Sequence, residues 1–188
     1  MSVATLPARM TTEELLALPD DGIDRWLIDG RLREDPIVRH RLQSRIIIRT
    51  HYVLGSWLEH QPPPRGSIRN GKASVRLRRD PDWTVGIDVV YISAELAAQQ
   101  PSDTTLIDGV PVLAVEILSP TDTQEIIYQK IDRYLQAGVA LVWVINPSFR
   151  TVTVYRPNAE PEMLNVSQEL TAEPHLPGFR VAVAQLFN

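Results

Sequence analysis

The chain has 188 residues, of which 44% are hydrophobic, 19 are basic and 23 are acidic, giving a net charge of −4. Because it contains no cysteine, disulfides and thiolate metal sites are excluded, which favours a reducing, cytoplasmic compartment. No apolar run reaches the about 18 residues that a membrane-spanning helix needs, and the N-terminus lacks the basic-then-apolar order of a signal peptide.

The first half of the chain predicts two helices, a hairpin and a strand. Residues 11–18 have the capping pattern of a short helix. Residues 25–34 predict a hairpin with an Asp-Gly turn. Residues 37–60 carry apolar residues at helical spacing and end at three prolines. Residues 72–79 alternate small or apolar with basic residues, which predicts a strand with one solvated face.

The second half predicts strands that alternate with helices. The predicted strands are residues 86–92, 112–118, 141–146 and 151–156, followed by a last strand and a short turn in residues 176–188. A short helix is predicted at residues 93–100, and a longer one runs from Thr121 or Thr123 to Ala137, before Gly138. Strand, helix and strand over residues 112–146 predict two parallel strands. Together with the hairpins, this predicts a single domain of residues 1–188, of α/β or α+β class, with a mixed central sheet.

The basic residues are concentrated in one segment. Residues 31–80 contain twelve Lys or Arg against four Asp or Glu, whereas the rest of the chain contains seven against nineteen. A basic segment can bind a polyanion even when the whole chain is acidic. Two interpretations stay open: a phosphate-binding surface, or ordinary arginines scattered around the fold.

Two apolar strands each contain one acid, Asp88 in GIDVVYI and Glu116 in VLAVEIL. Taking an ionised carboxylate out of water is costly, so each acid needs a partner or a task. If both strands belong to one sheet, the two acids can lie close together and then require a cation between them. Two carboxylates and a backbone carbonyl make an all-oxygen site of the kind that Mg²⁺ prefers.

A lysine lies on the apolar side of the predicted long helix. At 100° per residue, Lys130 falls inside the arc defined by core residues such as Ile127 and Tyr134. Such a lysine either extends along the helix to solvent or reaches the carboxylates of the preceding strand. A buried Glu116–Lys130 ion pair without a catalytic role is the alternative, but three charged groups converging on one buried place favour a functional site.

Segments spread over nearly the whole chain resemble one family. They include TTEELLALP, LIDGRL, IDVVYI, VPVLAVEILSPTD, QKIDRYLQAGV, VWVINP and LPGFRVAVAQLF. Together they resemble the Uma-type restriction-endonuclease-like family, a branch of the PD-(D/E)XK nuclease superfamily. The resemblance implies a restriction-endonuclease-like mixed central sheet flanked by helices, with additional antiparallel hairpin strands.

The resemblance also implies a metal centre. Asp88 and Glu116 match the two acidic ligands, and the backbone carbonyl of Ile117 would be the third ligand of Mg²⁺ or Mn²⁺. The lysine that the superfamily usually has two residues after the second acid is replaced here by Leu118. Lys130 matches the lysine that this family has on the following helix.

Five further positions bear on this site. Ile87 stands where the family usually has a proline, and Trp26 stands where the first hairpin often carries a glutamate. His40 matches a family position and is expected to line the site, with a cap or surface role as the alternative. Ser119 follows the strand at a turn and is interpreted as a helix-entry or supporting residue rather than a nucleophile. Asp122 is either an additional ligand or an acid at the helix N-terminus.

The sequence therefore predicts a metal-dependent endonuclease that hydrolyses nucleic-acid phosphodiester bonds, with DNA as the expected substrate. The metal would activate a water molecule, and Lys130 would orient that water or stabilise the developing charge. The nucleic-acid backbone would be held by basic residues of the segment: Arg65, Arg69, Lys72, Arg76, Arg78 and Arg79.

Two other functions stay open. One is a catalytically inactive nuclease-like module that binds nucleic acid or a protein partner, and the other is a purely structural assembly protein. A homodimer is compatible with the cutting of two strands.

Overall fold

The computed structural model describes residues 9–36, 41–101, 104–120 and 122–188. The helices are α1 (Thr12–Leu16), α2 (Arg41–Glu59), α3 (Ala94–Gln99), α4 (Gln124–Ala137) and the 3₁₀ turn Val183–Leu186. The strands are β1 (Ile23–Ile28), β2 (Arg31–Pro36), β3 (Ser67–Arg78), β4 (Trp83–Ile92), β5 (Ile107–Asp108), β6 (Leu113–Ile117), β7 (Leu141–Asn146), β8 (Thr151–Tyr155), β9 (Glu162–Leu164), β10 (Glu169–Thr171) and β11 (Arg180–Ala182).

A mixed sheet forms the centre of the fold. In the described part of the chain it has nine strands, in the order β2-β1-β4-β6-β7-β8-β9, with β3 paired to β4 and β5. Strands β6 and β7 are parallel, as the strand–helix–strand pattern predicts, and the hairpin β1–β2 is antiparallel. Strands β10 and β11 form a separate two-stranded sheet. The predicted class, a mixed sheet flanked by helices, is confirmed.

The two long helices lie on opposite faces of this sheet. Helix α2 contributes Ile46 and Leu54 to a core that includes Val115 of β6. Helix α4 contributes Ile127 and Ile131 to a second core that includes other residues of β4, β6 and β7. Because side chains alternate along a strand, β6 sends every second residue to the face of α4. This alternation decides where an acid in β6 points.

The ends of helix α4 are determined by two residues. The Thr123 side chain accepts a hydrogen bond from the Ile126 backbone N–H, and is therefore the N-cap. Gly138 ends the helix with φ 98°, a left-handed conformation that glycine adopts without steric cost. Of the two predicted start points, Thr123 is the one observed, while Thr121 lies outside the described residues.

Several strand boundaries differ from the predictions. Strand β3 begins at Ser67, ahead of the predicted residues 72–79, because a register shift between Asn70 and Ala73 interrupts the alternation from which a strand is predicted. Strands β5, β9 and β10 have two or three residues each and are too short to show a periodicity. Residues 37–40 of the predicted long helix lie outside the described residues. Within the described ranges, no helix has the length and apolar character to cross a membrane.

The packing of α2 can be tested by a pair of substitutions. Leu54 is fully buried, whereas Ile48 on the same helix is 64% exposed. We expect Leu54→Ala to lower the free energy of unfolding by about 3 kcal/mol, because it opens a cavity in the core. Ile48→Ala should change it by less than about 0.5 kcal/mol. Urea unfolding followed by circular dichroism measures both, and equal losses would contradict the assigned faces.

Candidate active site

The two strand acids lie on neighbouring strands. Val89 of β4 pairs with Val115 of β6, the last paired position before Asp88 and Glu116. The charges of both acids act on the same cation, Lys130. The exposed fractions of Asp88 and Glu116 are 4% and 5%. The structure therefore brings two buried carboxylates together, as the sequence predicts.

Helix α4 supplies two donors to Glu116. The Lys130 ammonium donates to Glu116 Oε2 over 2.9 Å, and the Tyr134 hydroxyl donates to Glu116 Oε1 over 2.5 Å. Lys130 and Tyr134 are four residues apart and thus lie on one face of the helix. The sequence predicts that Tyr134 is a core residue. It does not predict the contact with Glu116, although the spacing of four residues from Lys130 could have indicated it.

Lys130 is held as a cation. Burial by itself would lower the pKa of Lys130, but the negative charge of Glu116 and its hydrogen bond, with the charges of Asp88 and Asp122, raise that pKa above its ordinary value. In this arrangement the ammonium donates hydrogen bonds and does not act as a base. Its side chain keeps 28% of its surface exposed, so part of it borders solvent.

The end of β6 is held by a residue of β4 and a residue of α2. The Ile117 backbone N–H donates to Asp88 Oδ2 over 2.8 Å. The Ile117 carbonyl accepts a hydrogen bond from Nε2 of Gln43, on α2, over 3.0 Å. No sequence pattern pointed to Gln43, because its role depends on the packing of α2 against β6.

The donor set suits a hard divalent cation. Asp88, Glu116 and the Ile117 carbonyl offer only oxygen atoms, and Mg²⁺ keeps several of its own waters and needs few protein ligands. Each carboxylate has about four lone-pair sites and a carbonyl has two, so the observed hydrogen bonds leave acceptor capacity. Among the described residues, no group of three or more His, Cys, Asp or Glu could hold a metal. A metal here would therefore rest on two acids and a carbonyl.

Asp122 and Ser119 form the turn that leads into α4. The Asp122 carboxylate accepts a hydrogen bond from the Ser119 backbone N–H over 2.6 Å. Asp122 precedes the N-cap Thr123 and is exposed, and its carboxylate closes the turn. Its charge also acts on Lys130, which keeps it within electrostatic reach of the candidate site.

The remaining predicted positions have separate outcomes. His40 lies outside the described residues. Ile87 is a fully buried core residue. Trp26 lines a cleft of about 530 Å³ between the hairpin β1–β2 and helix α4, together with Lys130 and Arg33. The cleft gives Lys130 an open side towards solvent.

Arg76 does not fit the predicted role of a phosphate contact. Its side chain is only 5% exposed, and its guanidinium donates to Glu13 over 2.6 Å and to Asp108 over 2.6 and 3.0 Å. The alternation of β3 places Arg76 on a covered face where two carboxylates from distant parts of the chain meet it. Its charge is thus used inside the fold.

Two more arginines of the same strand region have internal partners. Arg78 donates to Asp29 over 2.5 Å, and its guanidinium lies 4.0 Å from the centroid of the Trp83 ring. Arg79 donates to Asp108. Both arginines are exposed, so these ion pairs reduce their charge without removing them from the surface.

The other predicted basic contacts are less engaged. Arg65 is exposed and donates from Nε to the Gln61 carbonyl over 2.6 Å. Arg69 is exposed on β3, opposite Val90. The side chain of Lys72 lies outside the described residues. The basic segment is therefore divided between internal ion pairs and exposed side chains.

Comparisons with known proteins confirm the resemblance seen in the sequence. The sequence model of the Uma2 family, described as "Putative restriction endonuclease", matches residues 12–184. Among solved structures, the fold is similar to that of "a putative nuclease belonging to DUF820 from Anabaena variabilis ATCC 29413". That likeness has 21% sequence identity and a TM-score of 0.79, covers 95% of this chain and 97% of the other, and shows a common fold. No curated protein matches the sequence.

The coupling between Glu116 and Lys130 can be measured by a double-mutant cycle. Lys130→Met leaves the buried carboxylate without its cation, and we expect it to lower the free energy of unfolding by about 3 kcal/mol. Glu116→Gln combined with Lys130→Met removes both charges and should recover most of that loss. Urea unfolding at neutral pH supplies the values, and additive losses would show that the two residues are not coupled.

The Arg76 ion pairs predict an acid-dependent loss of stability. The hydrogen bond from Arg76, opposed by burial and assisted by Arg79, lowers the pKa of Asp108 below its ordinary 3.8. A lowered pKa stabilises the folded state above the ordinary value, and this contribution disappears as the pH falls through the folded-state pKa. We therefore expect the stability difference between the wild-type protein and Asp108→Asn to be largest near neutral pH and to shrink below about pH 4.

The measurement is urea unfolding between about pH 6 and about pH 2.5. Asp132→Asn is a matched control, because Asp132 is exposed and contacts the neutral Gln136 amide. A stability difference for Asp108→Asn that stays constant over this range would contradict the assignment.

Proposed function

Because the chain belongs to the Uma2 family of "Putative restriction endonuclease" proteins, we propose that it is a metal-dependent endonuclease that hydrolyses phosphodiester bonds of nucleic acid, with DNA as the expected substrate. The proposed catalytic residues are Asp88, Glu116 and Lys130. The observation that carries the proposal is the 2.9 Å contact between the Lys130 ammonium and Glu116, a buried acid on the strand next to that of the buried Asp88. The fold shared with the Anabaena variabilis protein supports it.

The proposed metal ligands are Asp88, Glu116 and the Ile117 carbonyl. When bound, Mg²⁺ or Mn²⁺ would supply an activated water and neutralise charge on the scissile phosphate. The backbone N–H of Ile117 orients the Asp88 carboxylate, and Tyr134 fixes one oxygen of Glu116. These contacts keep the ligand oxygens in place before substrate arrives.

Lys130 has a separate role in the proposal. An ammonium has three donors, and the contact with Glu116 uses one of them. A second N–H, reached through the cleft, donates to a nonbridging oxygen of the scissile phosphate, where negative charge builds up in the transition state. Lys130 thus positions the phosphate beside the carboxylates.

The substrate contacts remain proposed for the exposed basic residues. They are Arg65, Arg69, Arg78 and Arg79. Lys72 is kept from the sequence prediction, and the buried Arg76 is left out. Cutting both strands of a duplex needs two active sites or two encounters, so a homodimer is the assembly to look for by light scattering.

One competing function has an observation in its favour. Both oxygens of Glu116 already accept hydrogen bonds, from Lys130 and Tyr134. A carboxylate used in this way is also suited to a purely structural ion pair. In that case the chain is a nuclease-like module that binds nucleic acid or a protein partner without cutting it.

A cleavage assay separates the two functions. The purified chain is incubated with supercoiled plasmid and with single- and double-stranded oligonucleotides, in Mg²⁺, in Mn²⁺ and in chelator. We expect metal-dependent cutting that falls at least about 100-fold in Glu116→Gln and in Lys130→Met, because charge stabilisation at the phosphate is lost. Asp132→Asn, on the solvent side of the same helix, should cut as the wild-type protein does.

Thermal unfolding provides a second readout that does not depend on finding the right substrate. A metal that binds only the folded state raises the melting temperature, and Glu116→Gln should abolish that rise. Cutting that survives Glu116→Gln would contradict the proposed centre. Neither cutting nor a metal-dependent shift would favour the binding module.

A further inference from the structure

A second cleft adjoins the one beside Lys130 and is lined by arginines. It measures about 350 Å³, and its basic lining residues are Arg9, Arg31, Arg33 and Arg133. The two clefts share Ile28, Arg33 and Arg133. They therefore lie side by side, and we refer to the four arginines and the space between them as the arginine groove.

The hairpin register explains why two of these arginines face the groove. Trp26 pairs with Arg33 and Ile28 pairs with Arg31, and paired residues share one face of the hairpin. Leu27, which alternates with them, is fully buried on the other face. Arg31 and Arg33 lie two residues apart on one strand, so their positions are about 6.8 Å apart, roughly the rise of two nucleotides along a duplex strand.

Helix α4 connects the groove to the candidate active site. Arg133 follows Lys130 by three residues, which places it on the same side of the helix and about 4.5 Å further along its axis. Its guanidinium lies 5.0 Å from the centroid of the Trp83 ring and 3.8 Å from the Asp29 carboxylate. Arg133 is thus the first cation beyond Lys130 along this side of α4.

The second cleft has a large excess of positive charge, whereas the lining of the first cleft also includes Glu34 and Glu125. Asp29 is the one carboxylate among the described residues that line the second cleft, against four guanidinium groups. Asp29 accepts hydrogen bonds from Trp83 over 2.6 Å and from Arg78 over 2.5 Å, so part of its charge is met by a residue outside the cleft lining. Guanidinium groups bind phosphate through two parallel hydrogen bonds, which makes such a surface suitable for a phosphate backbone.

We propose that the arginine groove is the main nucleic-acid binding surface of this chain, and that it carries the backbone of the bound strand from Lys130 past Arg133 to Arg31 and Arg33. This inference rests on the proposed nuclease function, because it takes the scissile phosphate to lie at Lys130. It differs from the sequence prediction, in which residues 65–79 hold the backbone. The groove follows from contacts between the hairpin and α4.

The test compares two doubly substituted proteins of equal net charge. Arg31→Glu/Arg33→Glu alters the groove. The matched control is Arg156→Glu/Arg180→Glu, in which Arg156 directly follows β8 and Arg180 lies on β11. Arg31→Gln/Arg33→Gln is the second groove variant, which removes the charge without reversing it. Circular dichroism and thermal melting establish that each protein is folded.

Binding is measured by fluorescence anisotropy with a labelled duplex in chelator, so that cutting does not interfere. We expect the groove variants to bind at least about 10-fold more weakly. For the glutamine variant, the slope of log K against log salt concentration should become shallower by the amount that corresponds to about two phosphate contacts. The control should bind as the wild-type protein does. Cleavage with Mn²⁺ is measured in parallel, together with Lys130→Met.

The outcomes separate the groove from the catalytic proposal. Unchanged binding by the groove variants, an equal loss in the control, or no binding by the wild-type protein would each overturn the groove. Weaker binding by the groove variants when the wild-type protein cuts nothing would support the groove and overturn the proposed cleavage. Both proposals would be supported if the groove variants bind more weakly while Lys130→Met binds with normal affinity but does not cut.

Discussion

The burial of one negative charge in the middle of strand β6 constrains the rest of this structure. A carboxylate on a covered face of the sheet needs a cation and a donor nearby, because taking a charge out of water is costly. Lys130 and Tyr134 supply them from one face of α4, which fixes how the helix lies on the sheet. The spacing of four residues between them makes the arrangement possible, since both reach the same carboxylate from successive turns.

The same contacts also determine what can happen at the end of β6. Asp88 is held by the Ile117 N–H and the Ile117 carbonyl by Gln43, so residues of β4 and of α2 meet at one residue of β6. Oxygen ligands that are held in place by hydrogen bonds are what a catalytic metal centre requires. They are also what keeps a buried charge stable. A purely structural role and a catalytic role for these residues therefore require the same geometry. The two roles differ in whether the residues take part in a reaction.

The basic residues show how tertiary pairing changes the meaning of a charge pattern. Arg76 belongs to a strongly basic segment, but Glu13 and Asp108 bind it inside the fold. Arg31 and Arg33 belong to the same segment and line an open cleft instead. The local sequence is similarly basic in both places, and the difference comes from where the acids lie. The net charge of a segment thus indicates that the segment can bind a polyanion, but it does not show which of its residues do so.

The amino-acid sequence alone determined the order and type of the main elements, because the periodicity of apolar residues and the caps of α4 are local properties. It also indicated that Glu116 is buried and that Lys130 lies on the core side of its helix, since both follow from alternation and helical spacing. Tertiary structure alone decided that Gln43 reaches Ile117, that Arg76 is buried and that the hairpin and α4 enclose a groove. Each of these depends on residues far apart in sequence, whose meeting local periodicity does not encode.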